Sequence, residues 1–288
     1  MSLFCAILVC LADILVGTWN MKWFPSGRAE HRAKPEVEAR TYEQAAQVVR
    51  DALSHRQAGD HVVFFLEEMR DEATCANLVA RIGDPSLSCA CVTAFREFDR
   101  RLGWQQVGIV TDLPVLDAHY SYWKRQKTIH APRGFAMSLL DAGDDGLVAC
   151  YGIHLKSNYG AKTPEVRASN QAKREICTDQ LVNQTRKVSA PDGRPVKRFI
   201  IAGDFNTDPF SGQFAGERTI PTLEAAGYTN CFAGTSPAER GTHPGWGRYP
   251  DSTLDFVFHR GFSRQQGPWL MPRSSVSDHR MVLVRLAR

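Results

Sequence analysis

The stretch F-I-I-A-G-D-F-N-T-D-P at residues 199–209 decides the fold and marks the first candidate site. Its first four residues form a short apolar run, which is typical of a strand buried on both faces. Gly203 permits close backbone approach, and Pro209 ends the element. If the strand stays extended, Asp204 and Asn206 point to the same side. Their oxygens suit a hard cation such as Mg2+, and the amide can also donate to a phosphate oxygen, whereas the simpler interpretation is a polar turn after a strand.

The composition indicates one ordinary globular domain. The chain has 288 residues, 43% of them hydrophobic and 23% charged, without an internal repeat or a low-complexity tract. The net charge of +4 and the pI near 8.6 are compatible with a polyanionic substrate. The eight cysteines include no C-x-x-C pair, which argues against a zinc finger.

The N-terminus allows two interpretations. Residues 3–12 form an unbroken apolar run that is too short to span a bilayer but matches the core of a signal peptide, with a passable cleavage site at residues 10–12. No Lys or Arg precedes the run, so an extra buried strand is the alternative. We therefore expect residues 1–12 to be a signal peptide or an extra strand, and residues 13–288 to be one domain without a transmembrane segment. A secreted or periplasmic location is slightly favoured over a cytoplasmic one.

The cysteines leave a further choice open. Cys75, Cys89 and Cys91 lie close in sequence and could hold a disulfide or, less readily, a metal. Buried free thiols are the alternative. If the chain is exported, removal of Cys5 and Cys10 from the eight cysteines leaves six, and disulfides become plausible.

Polar residues also end two other predicted strands. Asn20 lies at the end of a strand over residues 13–21, and Glu67 and Glu68 follow the apolar strand at residues 62–66. Regular alternation places Glu68 on the side of Leu66, and Glu67 on the other side. Two adjacent carboxylates at a buried strand end are costly unless a metal ion or a cationic side chain neutralises them.

Four more polar residues stand in or beside predicted strands. His154 ends the strand at residues 147–156, where a structural hydrogen bond is the common role of a lone histidine. Asp255 interrupts an apolar strand at residues 252–258, and such an acid usually has a dedicated partner. Asp278 and His279 precede the last strand at residues 281–286. Because consecutive strand residues point apart, these two can serve one site only from a loop or a bulge.

Taken together, these motifs resemble the endonuclease/exonuclease/phosphatase superfamily, which has the fold of pancreatic deoxyribonuclease. The matching residues, in the family's order, are Trp19-Asn20, Leu66-Glu67-Glu68-Met69-Arg70-Asp71, His154-Leu155, Gly203-Asp204-Phe205-Asn206, Asp255 and Ser277-Asp278-His279. The resemblance implies a four-layer α/β sandwich of two packed mixed β-sheets flanked by helices. It also implies hydrolysis of phosphate esters that depends on Mg2+ or Mn2+.

The resemblance further implies a role for each of these side chains. Glu68 corresponds to the metal-binding carboxylate, assisted by Asn20 and Asp278. His279 corresponds to the general acid or base, and Asp255 to the carboxylate that orients it. Asp204 and Asn206 are expected to position the nucleophile and the phosphate. His154 corresponds to the second catalytic histidine, with Glu97 as a guess for its acidic partner. Arg70 and Asn158 are expected to bind substrate.

Two residues depart from the family pattern, and Arg70 has a competing interpretation. Glu67 stands where the family often has Gln, and Met281 stands where Pro often follows the terminal Asp-His pair. Neither change removes a catalytic group. Arg70 could instead form a salt bridge with Asp71 or Glu67.

The expected function is that of a metal-dependent endonuclease that hydrolyses DNA. Arg70, the basic loop from Arg28 to Lys34 and the cluster at residues 122–125 (Y-W-K-R) could contact a nucleic acid by charge and stacking. The alternative is a phosphatase or a lipid phosphodiesterase of the same fold, acting on a sphingomyelin-like or inositol-phosphate-like substrate. A non-catalytic binding protein is a minor alternative, because no ligand or histidine of the motif is lost. We expect a monomer without a stable protein partner.

Overall fold

The computed structural model of this protein describes residues 12–27, 33–97, 100–245 and 250–288. The prediction for residues 1–12 falls almost entirely outside the described residues, as do Arg28 and Arg32 of the predicted basic loop. The helices are α1 (Pro35–Leu53), α2 (Glu72–Ile82), α3 (Pro164–Thr185) and α4 (Thr219–Ala225). The strands are β1 (Ile14–Phe24), β2 (His61–Met69), β3 (Ser88–Val92), β4 (Gln106–Thr111), β5 (Val115–Tyr122), β6 (Gly134–Asp141), β7 (Leu147–His154), β8 (Val196–Asp204), β9 (Thr229–Asn230), β10 (Asp255–Arg260), β11 (Arg264–Leu270) and β12 (Val282–Ala287).

The strands within the described residues form two six-stranded sheets. The strand order is β11-β12-β1-β2-β4-β3 in the first sheet and β5-β6-β7-β8-β10-β9 in the second. Both sheets are mixed, because β1 runs parallel to β2 and β7 runs parallel to β8, while the other pairs are antiparallel. The predicted four-layer α/β sandwich of two mixed sheets flanked by helices is confirmed.

Alternating side chains along the central strands build two apolar layers. In β2, Phe65 belongs to the core between the sheets, whereas Phe64 and Leu66 pack in the layer that also contains Val49 of α1 and Leu78 of α2. The period of two along a strand thus fills both faces of the first sheet.

Within the described ranges, no helix is long and apolar enough to cross a membrane.

The topology brings the candidate residues to the same end of both sheets, where several strands finish. The parallel pair β1 and β2 ends near Asn20 and Glu67, and the parallel pair β7 and β8 ends with His154 opposite Asp204. Asp255, the first residue of β10, pairs with Asp204 across the antiparallel ladder. Polar side chains from several strand ends therefore meet where the strands give way to loops.

Candidate active site

A β-bulge turns Glu68 into the site. The register between β1 and β2 is regular up to Asn20 and Glu67 and then shifts, and Glu68 has a φ of 60°. Regular alternation predicted Glu68 on the side of Leu66, and that prediction was wrong. Glu68 accepts hydrogen bonds from Asn20 Nδ2 (3.3 Å) and from the backbone N–H of Trp23 (2.9 Å). The left-handed residue breaks the period of two, so the carboxylate reaches the side of Asn20.

Glu67 is buried beneath this site. It is 0% exposed, and its Oε1 accepts a hydrogen bond from Thr18 Oγ1 at 3.1 Å. Burial raises the pKa of Glu67 well above its usual value, and the nearby charges of Asp255 and Asp204 add to this effect. A raised pKa favours the uncharged carboxyl, so burial of Glu67 depends less on the cationic neighbour that the sequence predicted for the Glu67–Glu68 pair.

Asp204 lies between the two sheets and is held by amides. Its Oδ2 accepts from Asn20 Nδ2 (2.9 Å) and from Asn206 Nδ2 (2.9 Å), while its Oδ1 accepts from the backbone N–H of Asn206 (2.8 Å). Asn206 has a φ of 52°, which folds its side chain back onto Asp204. Burial raises the pKa of Asp204 to about 7, and the charge of Asp255 contributes. Asp204 and Asn206 thus lie side by side, but the predicted reason was wrong, because β8 ends at Asp204 and the left-handed Asn206 rather than strand alternation brings the two side chains together.

Gly203 is required for this arrangement. Its φ is 145°, and a Cβ placed on it would lie 1.8 Å from the carbonyl oxygen of Ile153 on the parallel strand β7. Any side chain would separate β7 from β8 at the point where His154 faces Asp204. The glycine identified in the sequence is therefore a structural condition for the site.

His279 and Asp255 form a buried acid–imidazole pair. His279 Nδ1 is 2.8 Å from Asp255 Oδ2 and 3.1 Å from Asp255 Oδ1. Burial by itself would lower the pKa of His279, but Asp255, then Asp204 and Asp278, raise it to about 10. The imidazole is therefore protonated at neutral pH. Asp255 accepts the hydrogen bond from Nδ1, so the proton on Nε2 is not bonded to Asp255.

The loop before β12 is fixed on β1. Trp19 Nε1 donates to the carbonyl oxygen of His279 (3.1 Å), and Ser277 Oγ donates to the carbonyl oxygen of Asn20 (2.6 Å). The backbone N–H of His279 donates to Ser277 Oγ (3.0 Å). Asp278 and His279 precede β12, as the requirement for a loop or a bulge predicted.

Asp278 lies on the outer side of this loop. Its carboxylate forms an ion pair with Lys22 Nζ at 2.8 Å and lies 3.9 Å from His243 Nε2. Burial opposes ionisation of Asp278, but the hydrogen bond from Lys22 and the charge of His279 lower its pKa overall. The ring of His243 is centred 4.8 Å from the ring of His279. Lys22 and His243 were missed in the sequence, because nothing in their local patterns indicates a contact with residue 278.

His154 is a neutral histidine between two carboxylates. Its side chain is 3% exposed, and its Nε2 lies 3.6 Å from Asp204 Oδ2 and 3.7 Å from Glu68 Oε1. Burial lowers the pKa of His154 well below its usual value, and Arg133 contributes to this shift. Its Nδ1 has no hydrogen-bond partner among the described residues. Glu97 is exposed in a turn that its backbone forms with that of Arg100, so the guess that Glu97 partners His154 was wrong.

Arg133 is a half-buried cation that the sequence did not indicate. Its Nε donates to the carbonyl oxygen of His154 (3.1 Å), its Nη2 to that of Leu155 (2.9 Å) and its Nη1 to Gln105 Oε1 (2.6 Å). These bonds fix the end of β7 and place a positive charge near Glu68 and Asp204. Only the neighbouring Pro132 and Gly134 hint at an unusual backbone, and Arg133 indeed has a φ of 63°.

The two predicted substrate-binding residues are engaged within the protein. Arg70 Nη1 donates to Glu38 Oε1 at 2.8 Å, and its Nε lies 3.7 Å from Asp71 Oδ2. The salt-bridge interpretation of Arg70 therefore holds in part, with Glu38 as a partner that was not foreseen. Asn158 Oδ1 accepts from the buried Arg174 at 3.2 Å. A role of Arg70 and Asn158 in binding substrate stays a prediction.

The donor set fits a hard divalent cation. Ligand atoms of Asp204, Asp255 and His279 lie within 4.8 Å of one another, and so do those of His243, Asp278 and His279. A protonated His279 has no lone pair for a cation, so the carboxylates are the candidate ligands in these groups. The predicted ligands fall into two adjacent groups, because Glu68 lies with Asn20 and Asp204, whereas Asp278 lies with His243 and Lys22. In this arrangement Asn20 directs its amide nitrogen at the carboxylates and its Oδ1 at the backbone N–H of Lys22. Asn20 therefore supports the carboxylates in this arrangement, its role as a metal ligand stays a prediction, and the clustered carboxylates match the ligand preference of Mg2+.

Comparisons with known proteins agree with this fold. Over 96% of its length, the chain is similar to sphingomyelinase C from Streptomyces griseocarneus (17% identity, 99% of that chain, TM-score 0.58). It is also similar, over the same share of its length, to an endonuclease/exonuclease/phosphatase from Bacteroides vulgatus (13% identity, 98% of that chain, TM-score 0.65) and to the human nocturnin catalytic domain with bound sulfate (15% identity, 94% of that chain, TM-score 0.58). These likenesses show the fold, and no curated protein matches the sequence. The model of the endonuclease/exonuclease/phosphatase family matches residues 17–279, so this chain belongs to that family.

Proposed function

We propose that this protein is a divalent-metal-dependent phosphodiesterase, and specifically an endonuclease that hydrolyses the phosphodiester bonds of DNA. The observation that carries the proposal is the Asp255–His279 pair beside the Glu68–Asn20–Asp204 group, at the strand ends of both sheets. The pair supplies a positioned proton, and the group supplies carboxylates for a cation and for the attacking water. We also propose that residues 13–288 form one catalytic domain.

The two titrating groups divide the proton transfers of hydrolysis. Asp204, whose pKa is raised to about 7 by burial, can take a proton from a water that attacks phosphorus. His279, held protonated by Asp255, can donate its Nε2 proton to the leaving oxygen as the P–O bond breaks. One ring nitrogen of His279 and one carboxylate oxygen of Asp204 lie within 4.8 Å of each other, which supports the proposal that both residues act on one phosphate group. Asn206 and Asn20 keep Asp204 oriented during the reaction.

A metal ion would be held by Glu68 together with Asp278, with Asn20 orienting the carboxylate of Glu68. When bound, a divalent cation neutralises the charge that develops on the non-bridging phosphate oxygens. Lys22, which pairs with Asp278 at 2.8 Å, and Arg133, which lies near Glu68, add fixed positive charge beside that position. The neutral His154 can donate to a phosphate oxygen without repelling the cation.

Support for a nucleic-acid substrate comes from the exposed edge strand β5. Tyr120 and Tyr122 are 39% and 46% exposed, and Lys124 and Arg125 after them are exposed as well. Trp123 is 3% exposed and packs in the core, so the predicted cluster keeps three of its four residues at the surface. These side chains can stack on bases and attract phosphates.

This edge lies at the same end of the second sheet as the catalytic residues. Tyr122 pairs with Gly134 on β6, and Phe135 pairs with Ile153, which precedes His154 on β7. Two strand spacings separate β5 from β7, which amounts to about 10 Å. A nucleic-acid strand that crosses His279 and Asp204 can therefore continue over Tyr122 and Lys124.

A lipid phosphodiesterase or phosphatase is the second candidate. The fold of sphingomyelinase C from Streptomyces griseocarneus is similar over nearly the whole chain, and the same acid–base groups could serve a phospholipid or a phosphomonoester. The aromatic and basic residues of the β5 edge favour the nuclease, because an isolated headgroup would not extend to them.

Hydrolysis of supercoiled plasmid tests the proposal. Wild-type protein is incubated with Mg2+ or with EDTA, beside Asp204→Ala and the control Asp179→Ala, whose carboxylate is 40% exposed on α3. We expect Mg2+-dependent nicking by wild type and by the control, and none by Asp204→Ala. Sphingomyelin vesicles and p-nitrophenyl phosphate are assayed in parallel. Cleavage of either substrate without nicking of the plasmid would contradict the nuclease and support the second candidate.

A further inference from the structure

Two cysteines on adjacent elements lie in direct contact, away from the candidate active site. Cys75 is on α2 and Cys89 is on β3, the edge strand of the first sheet. Their Sγ atoms are 3.1 Å apart, and the two thiols are free. A disulfide bond is about 2.05 Å long, so the sulfurs need to approach by only about 1 Å.

Cys91 does not compete for this pairing. A bulge separates Cys89 from Cys91 in the ladder to β4, and Cys91 Sγ points to the carbonyl oxygen of His119 (3.4 Å) in the core between the sheets. Cys75 and Cys89 instead lie in the layer between the first sheet and its helices. Among the cysteines that the structure describes, the fold thus presents Cys75 to Cys89 and leaves Cys91 on the opposite face.

We propose that Cys75 and Cys89 are a redox-active pair that closes to a disulfide and fastens α2 to the edge strand β3. Cys89 is partly exposed, whereas Cys75 is 0% exposed, so an oxidant meets Cys89 first. The contact between the two thiols lowers the pKa of Cys89 and raises the pKa of Cys75, so Cys89 is the thiol that reacts first and Cys75 the one that follows.

The chemistry balances with hydrogen peroxide as the oxidant. The Cys89 thiolate attacks one peroxide oxygen, the O–O bond breaks, and Cys89 becomes a sulfenic acid, while the leaving hydroxide takes up the proton that the Cys89 thiol had released and forms the first water. The Cys75 sulfur, after losing its proton, then attacks Cys89 sulfur, the S–O bond breaks, and the second water leaves. The two thiols are oxidised by two electrons, and one peroxide is reduced to two waters.

The bond would act on the element that follows the strand of Glu68. Helix α2 begins at Glu72, directly after β2, with the Asp71 side chain accepting from the N–H of Thr74 as its cap. Closing the loop between Cys75 and Cys89 restricts the unfolded chain and so stabilises the fold. For a domain of this size we expect oxidation to raise the melting temperature by about 5 °C.

Peptide mapping of wild-type protein after treatment with hydrogen peroxide tests the proposal without any variant. We expect the intact protein to lose the mass of two hydrogen atoms, a Cys75–Cys89 cross-linked peptide to appear, and dithiothreitol to reverse both changes. Cys89→Ser should abolish the cross-link and the melting-temperature shift, and the matched control Cys91→Ser should keep both. A cross-link between other cysteines, oxidation without a cross-link, or loss of the cross-link in Cys91→Ser would overturn the proposal.

Discussion

Replacement of Asp255 by Asn probes the acid–imidazole pair with almost no change of shape. In the native protein the pKa of His279 is raised from 6.5 to about 10, although burial acts in the opposite direction. The charge of Asp255 is the strongest cause of that increase. Asp204 and Asp278 would still raise the pKa of His279 in Asp255→Asn, while burial lowers it, so we expect the pKa to fall towards neutrality. The full increase from 6.5 to about 10 corresponds to roughly 5 kcal/mol of preference for the imidazolium, because one pKa unit equals about 1.4 kcal/mol, and Asp255→Asn should remove the largest part of it.

Asp255→Asn should therefore lower turnover by about 10²–10⁴-fold at neutral pH, since His279 would lose the proton that it donates. The assay is hydrolysis of bis(p-nitrophenyl) phosphate at saturating Mg2+, together with an NMR titration of the His279 ring. Asp179→Asn is the control, and circular dichroism verifies the fold. A His279 that still titrates above pH 8 in Asp255→Asn, or turnover within threefold of wild type, would refute the reasoning.

The same pair makes a prediction for stability. A raised pKa in the folded state means that the stabilisation by the imidazolium is complete below pH 6.5 and is lost as the pH rises through about 10. Wild type should therefore lose free energy of unfolding over this range, as measured by urea denaturation. Asp255→Asn should lack that loss, and an identical pH dependence of the two proteins would contradict the assignment.

Three further variants test other parts of the site. Glu68→Gln should bind Mg2+ at least tenfold more weakly by isothermal titration calorimetry and lose most of its activity, because it removes the proposed metal carboxylate; unchanged Mg2+ affinity would exclude Glu68 as a ligand. Gly203→Ala should lower the midpoint of urea denaturation or prevent folding, because its Cβ would lie 1.8 Å from the carbonyl oxygen of Ile153; a midpoint equal to that of wild type would contradict the close approach of the strands. Tyr122→Ala should weaken binding of single-stranded DNA about tenfold by fluorescence anisotropy, since stacking contributes about 1–3 kcal/mol per base; hydrolysis of bis(p-nitrophenyl) phosphate should not change, and an equal loss in both assays would speak against a role in binding.

The sequence predicts the layers of the fold because a buried strand is visible in the local pattern of apolar residues. Apolar runs such as residues 199–202 and 62–66 mark strands covered on both faces, and both lie in the centres of their sheets. The order of the strands in a sheet is not visible in any local pattern, because it depends on contacts between distant parts of the chain. The family resemblance supplied the architecture that periodicity alone leaves open.

The candidate site follows the same division. Asp204, Asn206, Asp255 and His279 were predicted from strand ends and the family motif, and the structure brings them together. The orientation of Glu68 could not be predicted, because its φ of 60° breaks the alternation that the prediction assumed.

The cations around the site were missed for a different reason. Arg133, Lys22 and His243 act through partners that lie far away in sequence or across a loop, and basic residues at surface turns are common. The guess of Glu97 as the partner of His154 failed because the sequence does not show which carboxylate lies close to His154 in the fold. The carboxylates nearest to His154 are those of Glu68 and Asp204.

Turnover of a phosphodiester by folded His279→Ala protein tests the central claim most directly. The measurement is made at saturating Mg2+ beside wild type and His119→Ala, an exposed histidine on β5. We predict a loss of about 10²–10⁴-fold in His279→Ala with the fold retained, and little change in His119→Ala. Near-normal turnover by folded His279→Ala would contradict the assignment of this cluster as a phosphodiester-hydrolysing centre.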